Sequence, residues 1–107
     1  MAWVFLILAG LLEIGWALGL KYTDGFTKLG PSVFTVIAMI GSFVLLGQAL
    51  RALPIGTAYA IWTGIGAVGT AILGMVLFNE PRDLARILCI VLIVAGILGL
   101  KFTTASA

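Results

Sequence analysis

The chain has 107 residues, of which 63% are hydrophobic and 9% charged, with a formal net charge of +2. A soluble domain carries roughly 25% charged residues, so this chain has too few to solvate a small globule, and a bilayer is its natural solvent. The basic residues are scattered and form no patch for nucleic acid; the absence of His and the single Cys89 exclude a His/Cys metal cluster and an intrachain disulfide; and nothing calls for a cofactor.

A spanning helix needs about 20 mostly apolar residues, and four of them consume roughly three quarters of a chain this long. Residues 1–107 therefore read as one transmembrane domain, an all-α membrane protein of four helices. The first helix is expected over about 2–20. It is apolar from Trp3 onward, without a basic leader or a convincing cleavage site, and reads as a retained span, not a signal peptide. Lys21, Asp24, Gly25 and Lys28 form a polar turn, and Gly30-Pro31 opens the second span, about 32–50, which ends at Arg51. Pro54 favours a break. The third span covers about 55–78, and Asn79 to Asp83 make the most polar loop. The fourth covers about 84–100 and ends at Lys101, leaving 102–107 as a short tail expected to fray. Lys21, Lys28, Arg82 and Arg86 lie on one side, Arg51 and Lys101 on the other. The positive-inside rule thus weakly favours the first and third loops in the cytoplasm. The two halves share no sequence repeat.

Glu13 stands out. It lies mid-span, with no Lys or Arg at similar depth in any helix. Burying an acid in a membrane costs a few kcal/mol even on the cheaper scales, which makes such a residue a functional candidate; the bland alternative is a protonated Glu serving as interhelical glue. Its helical neighbours are Ala9, Gly10, Trp16 and Ala17. Three are small and leave room beside the carboxylate, or simply permit close packing, while Trp16 offers a π face to a cation. Tyr59 and Trp62, three apart, share one face of the third helix. Ser42, in the middle of the second, either bonds its own helix backbone or donates to Glu13. Gly64, Gly66 and Gly69 permit bending as a hinge, or close packing. Cys89 reads as a small packing residue.

At these residues the chain resembles the small multidrug resistance family of proton-coupled exporters. The resemblance covers essentially the whole chain. It rests on Glu13, on Lys21, and on the run Pro54-Ile55-Gly56-Thr57-Ala58-Tyr59-Ala60-Ile61-Trp62-Thr63-Gly64-Ile65-Gly66-Ala67-Val68-Gly69. Gly10 and Trp16 on the Glu13 face, with Lys101 ending the fourth helix, resemble the guanidinium exporter subtype within it.

The resemblance implies a carrier, not an enzyme: a multi-pass protein of the cell's inner (plasma) membrane that works as an antiparallel homodimer with a second, inverted copy of itself. Two inverted copies supply the symmetry that many transporters take from internal repeats. The resemblance points to the fourth helix as the dimer contact, where Ala85, Cys89 and Gly96 offer small residues; a generic packing face is the alternative. Two Glu13 carboxylates in one cavity titrate as a coupled pair and hold either protons or a cation. Gly10, Trp16, Ser42, Tyr59 and Trp62 are expected to line that site, with Ser42 and Trp16 donating to the carboxylate. A guanidinium ion suits it, being planar, weakly hydrated and armed with forked donors. The broader quaternary-ammonium or multidrug exporter of the same family is the alternative, and a passive cation channel a more distant one.

Overall fold

The computed structural model describes residues 1–103. It consists of four helices, α1 (Ala2–Tyr22), α2 (Leu29–Ala49), α3 (Ile55–Leu77) and α4 (Leu84–Thr103). At 1.5 Å per residue each is about 30–35 Å long, the thickness of a hydrocarbon core, and each is apolar enough to cross a membrane.

The end of α1, the start of α2 and the end of α4 extend the sequence expectation by two or three residues, while α2 and α3 each end one residue short of it. α2 begins at Leu29, not at 32, so Gly30 and Pro31 lie inside its first turn. The missing N–H of Pro31 costs nothing there, because the first amides of a helix have no partner within it. Ser32 completes the turn by donating its hydroxyl to the Lys28 carbonyl at 2.6 Å. α1 continues through Lys21 and Tyr22. α4 runs through Phe102 and Thr103, which were expected in the tail; the rest of that tail lies outside the described residues. The α1–α2 turn passes through three consecutive left-handed residues, Asp24, Gly25 and Phe26. Buried Thr23 holds it by donating to the Leu20 carbonyl at 2.7 Å and accepting from the Phe26 amide at 3.1 Å.

The helices form a layer of 43 × 35 × 16 Å. α1 packs against both α2 and α3, and α4 packs against α3. In lipid, helices associate by close packing of small residues, and glycines make every one of these contacts. A Cβ on Gly10 would meet Ile65, one on Gly69 would meet Ile14, one on Gly19 would meet Thr35, and one on Gly64 would meet Ile97. The buried apolar core is Leu6, Ala9, Ala49, Leu53, Ala58, Ile61 and Trp62, where the start of α1 meets the α2–α3 connection. No residue of α4 is buried, and large apolar side chains cover the outer faces, as a bilayer solvent requires.

Candidate functional site

Glu13 sits midway along α1, on the face that meets α3. Its carboxylate lies directly against the α-carbon of Gly66: a Cβ at that position would overlap Oε1 and Cδ and approach Cγ to 2.7 Å. Glycine at 66 is therefore what admits the acid. Oε1 is buried without a hydrogen-bond partner, and Glu13 has no ion-pair partner among the described residues. A buried carboxylate oxygen left bare is costly, and it is an acceptor awaiting a donor.

The carboxylate lines the mid-span end of an open cavity of about 440 Å³ between α1 and α3. The α1 wall is Glu13, Ala17, Leu18 and Lys21; the α3 wall includes Thr63, Gly66, Ala67, Thr70, Ala71 and Gly74. These α3 positions recur at three- and four-residue spacing and so occupy one face. The mouth is formed by Lys21, Phe78, Glu80 and Arg86. Arg86 donates to Glu80 Oε1 at 2.6 Å. The α3–α4 loop folds back over the end of α3: Arg82 donates to the Met75 carbonyl at 2.9 Å and the Glu80 amide to the Gly74 carbonyl at 3.4 Å. The Arg82 bond satisfies a carbonyl that the helix C-terminus leaves open, while the Gly74 carbonyl also accepts from the Phe78 amide at 3.0 Å.

The other residues expected around Glu13 do not line this cavity in the single chain. Gly10 is filled by Ile65 and serves helix contact. Ser42 is fully buried and donates its hydroxyl to the Ala9 carbonyl at 2.7 Å, across the α1–α2 contact, where a bond to Glu13 was expected. Its oxygen accepts from Trp62 Nε1 at 2.9 Å. Geometry decides the matter: the Ala9 carbonyl, one turn before Glu13, is the acceptor Ser42 meets. Trp16 Nε1 is buried and unpartnered, and likewise does not donate to Glu13. Trp16, Phe43, Trp62 and Tyr59 instead form a chain of ring contacts, with centroids 6.3, 5.8 and 5.6 Å apart in turn. α3 runs unbroken through Gly64, Gly66 and Gly69, and Ile97, Glu13 and Ile14 fill the three gaps. The cavity residues Thr63, Thr70, Glu80, Arg86 and Lys21 escaped sequence reasoning as site residues. The spacing of Thr63, Gly66, Ala67, Thr70 and Gly74 was the available signal. No group of His, Cys, Asp or Glu that could hold a metal occurs among the described residues.

Residues 1–93 match the family described as Small Multidrug Resistance protein. The chain belongs to the small multidrug resistance family. This member of the family is a multi-pass membrane protein, and Glu13, Gly66 and Thr70 all fall within its matched region. It is 61% identical to a Yersinia pseudotuberculosis serotype I (strain IP32953) protein named guanidinium exporter, over 104 residues that cover 97% of this chain and 100% of that protein. Proteins of the same name from Salmonella typhimurium and Escherichia coli (strain K12) are 60% and 59% identical, each match covering 97% of this chain and 99% of the relative.

Proposed function

We propose that this chain exports guanidinium and small guanidinium-like cations across the inner (plasma) membrane, in exchange for protons, as an antiparallel pair. The observation that carries the reading is the unpartnered Glu13 oxygen, held at mid-span against Gly66 in the wall of an intramembrane cavity. The names of the relatives at about 60% identity point to the same ion.

Glu13 holds a proton or a cation, but not both. A proton neutralises the carboxylate and removes the attraction for the cation; a bound cation occupies the acceptor oxygens and excludes the proton. That exclusivity is what couples outward movement of one to inward movement of the other. Guanidinium presents a planar fork of N–H donors to a carboxylate and loses less hydration than an ammonium on entering the membrane. A quaternary ammonium has no N–H and leaves the acceptors unpaired, which a hydrogen-bonding site penalises strongly. A second, inverted copy brings a second Glu13, so the two carboxylates titrate together. α4 is free to receive that copy: Ala85, Cys89 and Gly96 are all exposed, and nothing lies within 4 Å of the space a Gly96 side chain would take. Rocking of the pair would open the cavity to each side in turn, with the glycines of α3 as the proposed points of flexure.

Transport currents on supported membranes test the reading, with guanidinium, methylguanidinium and a bulky aromatic cation at matched concentration. Guanidinium and methylguanidinium are expected to give proton-coupled currents, the aromatic cation a small one, and Glu13→Gln none while the protein stays folded. Proton-driven transport by Glu13→Gln would refute the exchange mechanism. Guanidinium current without proton movement would mark a channel, and equal current for the aromatic cation a multidrug exporter.

A further inference from the structure

A second carboxylate guards the same cavity. Glu80 follows the C-terminus of α3, yet its side chain turns back onto the helix, into the gap left by Gly74. A Cβ on Gly74 would come within 2.7 Å of Glu80 Oε1 and 3.0 Å of its Cδ. Glu13 is seated in the same manner on Gly66. The two seats are eight residues apart on one helix, two turns or about 12 Å. Thr70 lies midway between them on the same wall, and its hydroxyl oxygen is buried without a partner. The three α3 positions that meet these oxygens thus recur about every 6 Å along the helix, from the mouth of the cavity to Glu13.

The group now on Glu80 is itself a guanidinium. Arg86 makes one hydrogen bond, Nη2 to Oε1, and the pair is about one third exposed, at 32% for Arg86 and 39% for Glu80. Three features leave Arg86 replaceable. It uses one carboxylate oxygen where a guanidinium fork can engage two. It lies in the first turn of α4, the positive end of the helix dipole, where a cation is disfavoured. A partly exposed ion pair of this kind, still screened by solvent, contributes little net stability. Lys21, the other cation at the mouth, rests over the Phe78 ring at 4.8 Å from its centroid and makes no ion pair with Glu80.

We infer that Glu80 is an outer binding site for the transported cation, where a free guanidinium ion displaces the side-chain guanidinium of Arg86 before passing Thr70 to Glu13. The inference rests on the export reading above and extends it to a second site. Arg86 holds the site in the right shape for its own chemical likeness, and Glu80 raises the local concentration of that ion at the mouth. Ions without planar N–H forks compete poorly with Arg86 and are turned away before they reach Glu13.

The test compares Glu80→Gln with Arg86→Gln in guanidinium flux measured across a range of guanidinium concentrations. Both substitutions break the same bond, but the inference gives them opposite effects. Glu80→Gln removes the site and slows export at low guanidinium, raising KM about fivefold, the magnitude of one solvent-screened charge pair. Arg86→Gln removes the competitor and lowers KM. A pair that merely clamps the loop would shift KM the same way in both variants, and that result, or no shift in either, overturns the outer site. Should Glu80→Gln fail to reconstitute, the Arg86→Gln arm decides alone, a lowered KM supporting the inference and an unchanged or raised one overturning it. Absence of guanidinium flux in the unsubstituted protein would instead sink the export reading itself.

Discussion

Replacing Gly66 by alanine puts a methyl group where the Glu13 carboxylate now lies. Carbon atoms settle about 3.5–4.0 Å apart, and the new Cβ would stand 2.7 Å from Glu13 Cγ and closer still to the carboxylate. Glu13 must therefore withdraw by about 1 Å, a displacement of the size that costs about a hundredfold in activity. The fold should survive. Alanine in place of glycine favours a helix by about 1 kcal/mol, against about 1–3 kcal/mol for overpacking, so the net cost stays within about 2 kcal/mol. The expected outcome is a folded protein in detergent micelles with guanidinium flux reduced about a hundredfold. Gly47→Ala, at a position with nothing within 4 Å, is the control and should export normally. A Gly66→Ala protein exporting at the parental rate would refute the view that this glycine seats the acid.

Two further perturbations probe the framework around Glu13. Ser42→Ala removes the donor to the Ala9 carbonyl and strands the Trp62 indole N–H; with interhelical bonds in membranes averaging about 0.6 kcal/mol and a stranded buried donor costing about 1–3 kcal/mol, unfolding titrations in mixed micelles should show a loss of about 2–4 kcal/mol, and an unchanged midpoint would mean the bond is not made. Cys89, the only cysteine, is exposed in the single chain; if α4 is the seam between copies, a membrane-permeant maleimide should label it slowly in native membranes and quickly once the chains are separated, and equal rates would place the contact elsewhere.

The four spans were legible because length and hydropathy alone decide what a bilayer accepts. Glu13 was legible as a candidate because an acid among apolar residues carries a cost that marks it for functional use. Pro31 shows where local signals stop: proline marked an opening turn in the sequence, but α2 already includes it, since a first helical turn has no use for its N–H. The side chains around Glu13 were harder. α1 and α3 are apolar nearly all round, so no amphipathic stripe states which way either helix turns. Sequence spacing could put Gly10 and Trp16 near Glu13 on α1, but not choose the neighbour each one meets.

Tertiary packing made that choice through steric fit. Ile65 fills Gly10 and Ile14 fills Gly69, and this rotation of α1 against α3 brings the Glu13 carboxylate onto Gly66. The separate contact of α1 with α2, where Thr35 fills Gly19, sends the Ser42 hydroxyl to the Ala9 carbonyl. Glu80 and Arg86, six residues apart across a loop, meet only because the Gly74 gap lets Glu80 fold back over α3. Composition decided the solvent and the number of spans, and one misplaced charge marked the candidate site. Which helix faces meet in lipid, where every face is apolar, was left to the gaps between glycines and the side chains that fill them.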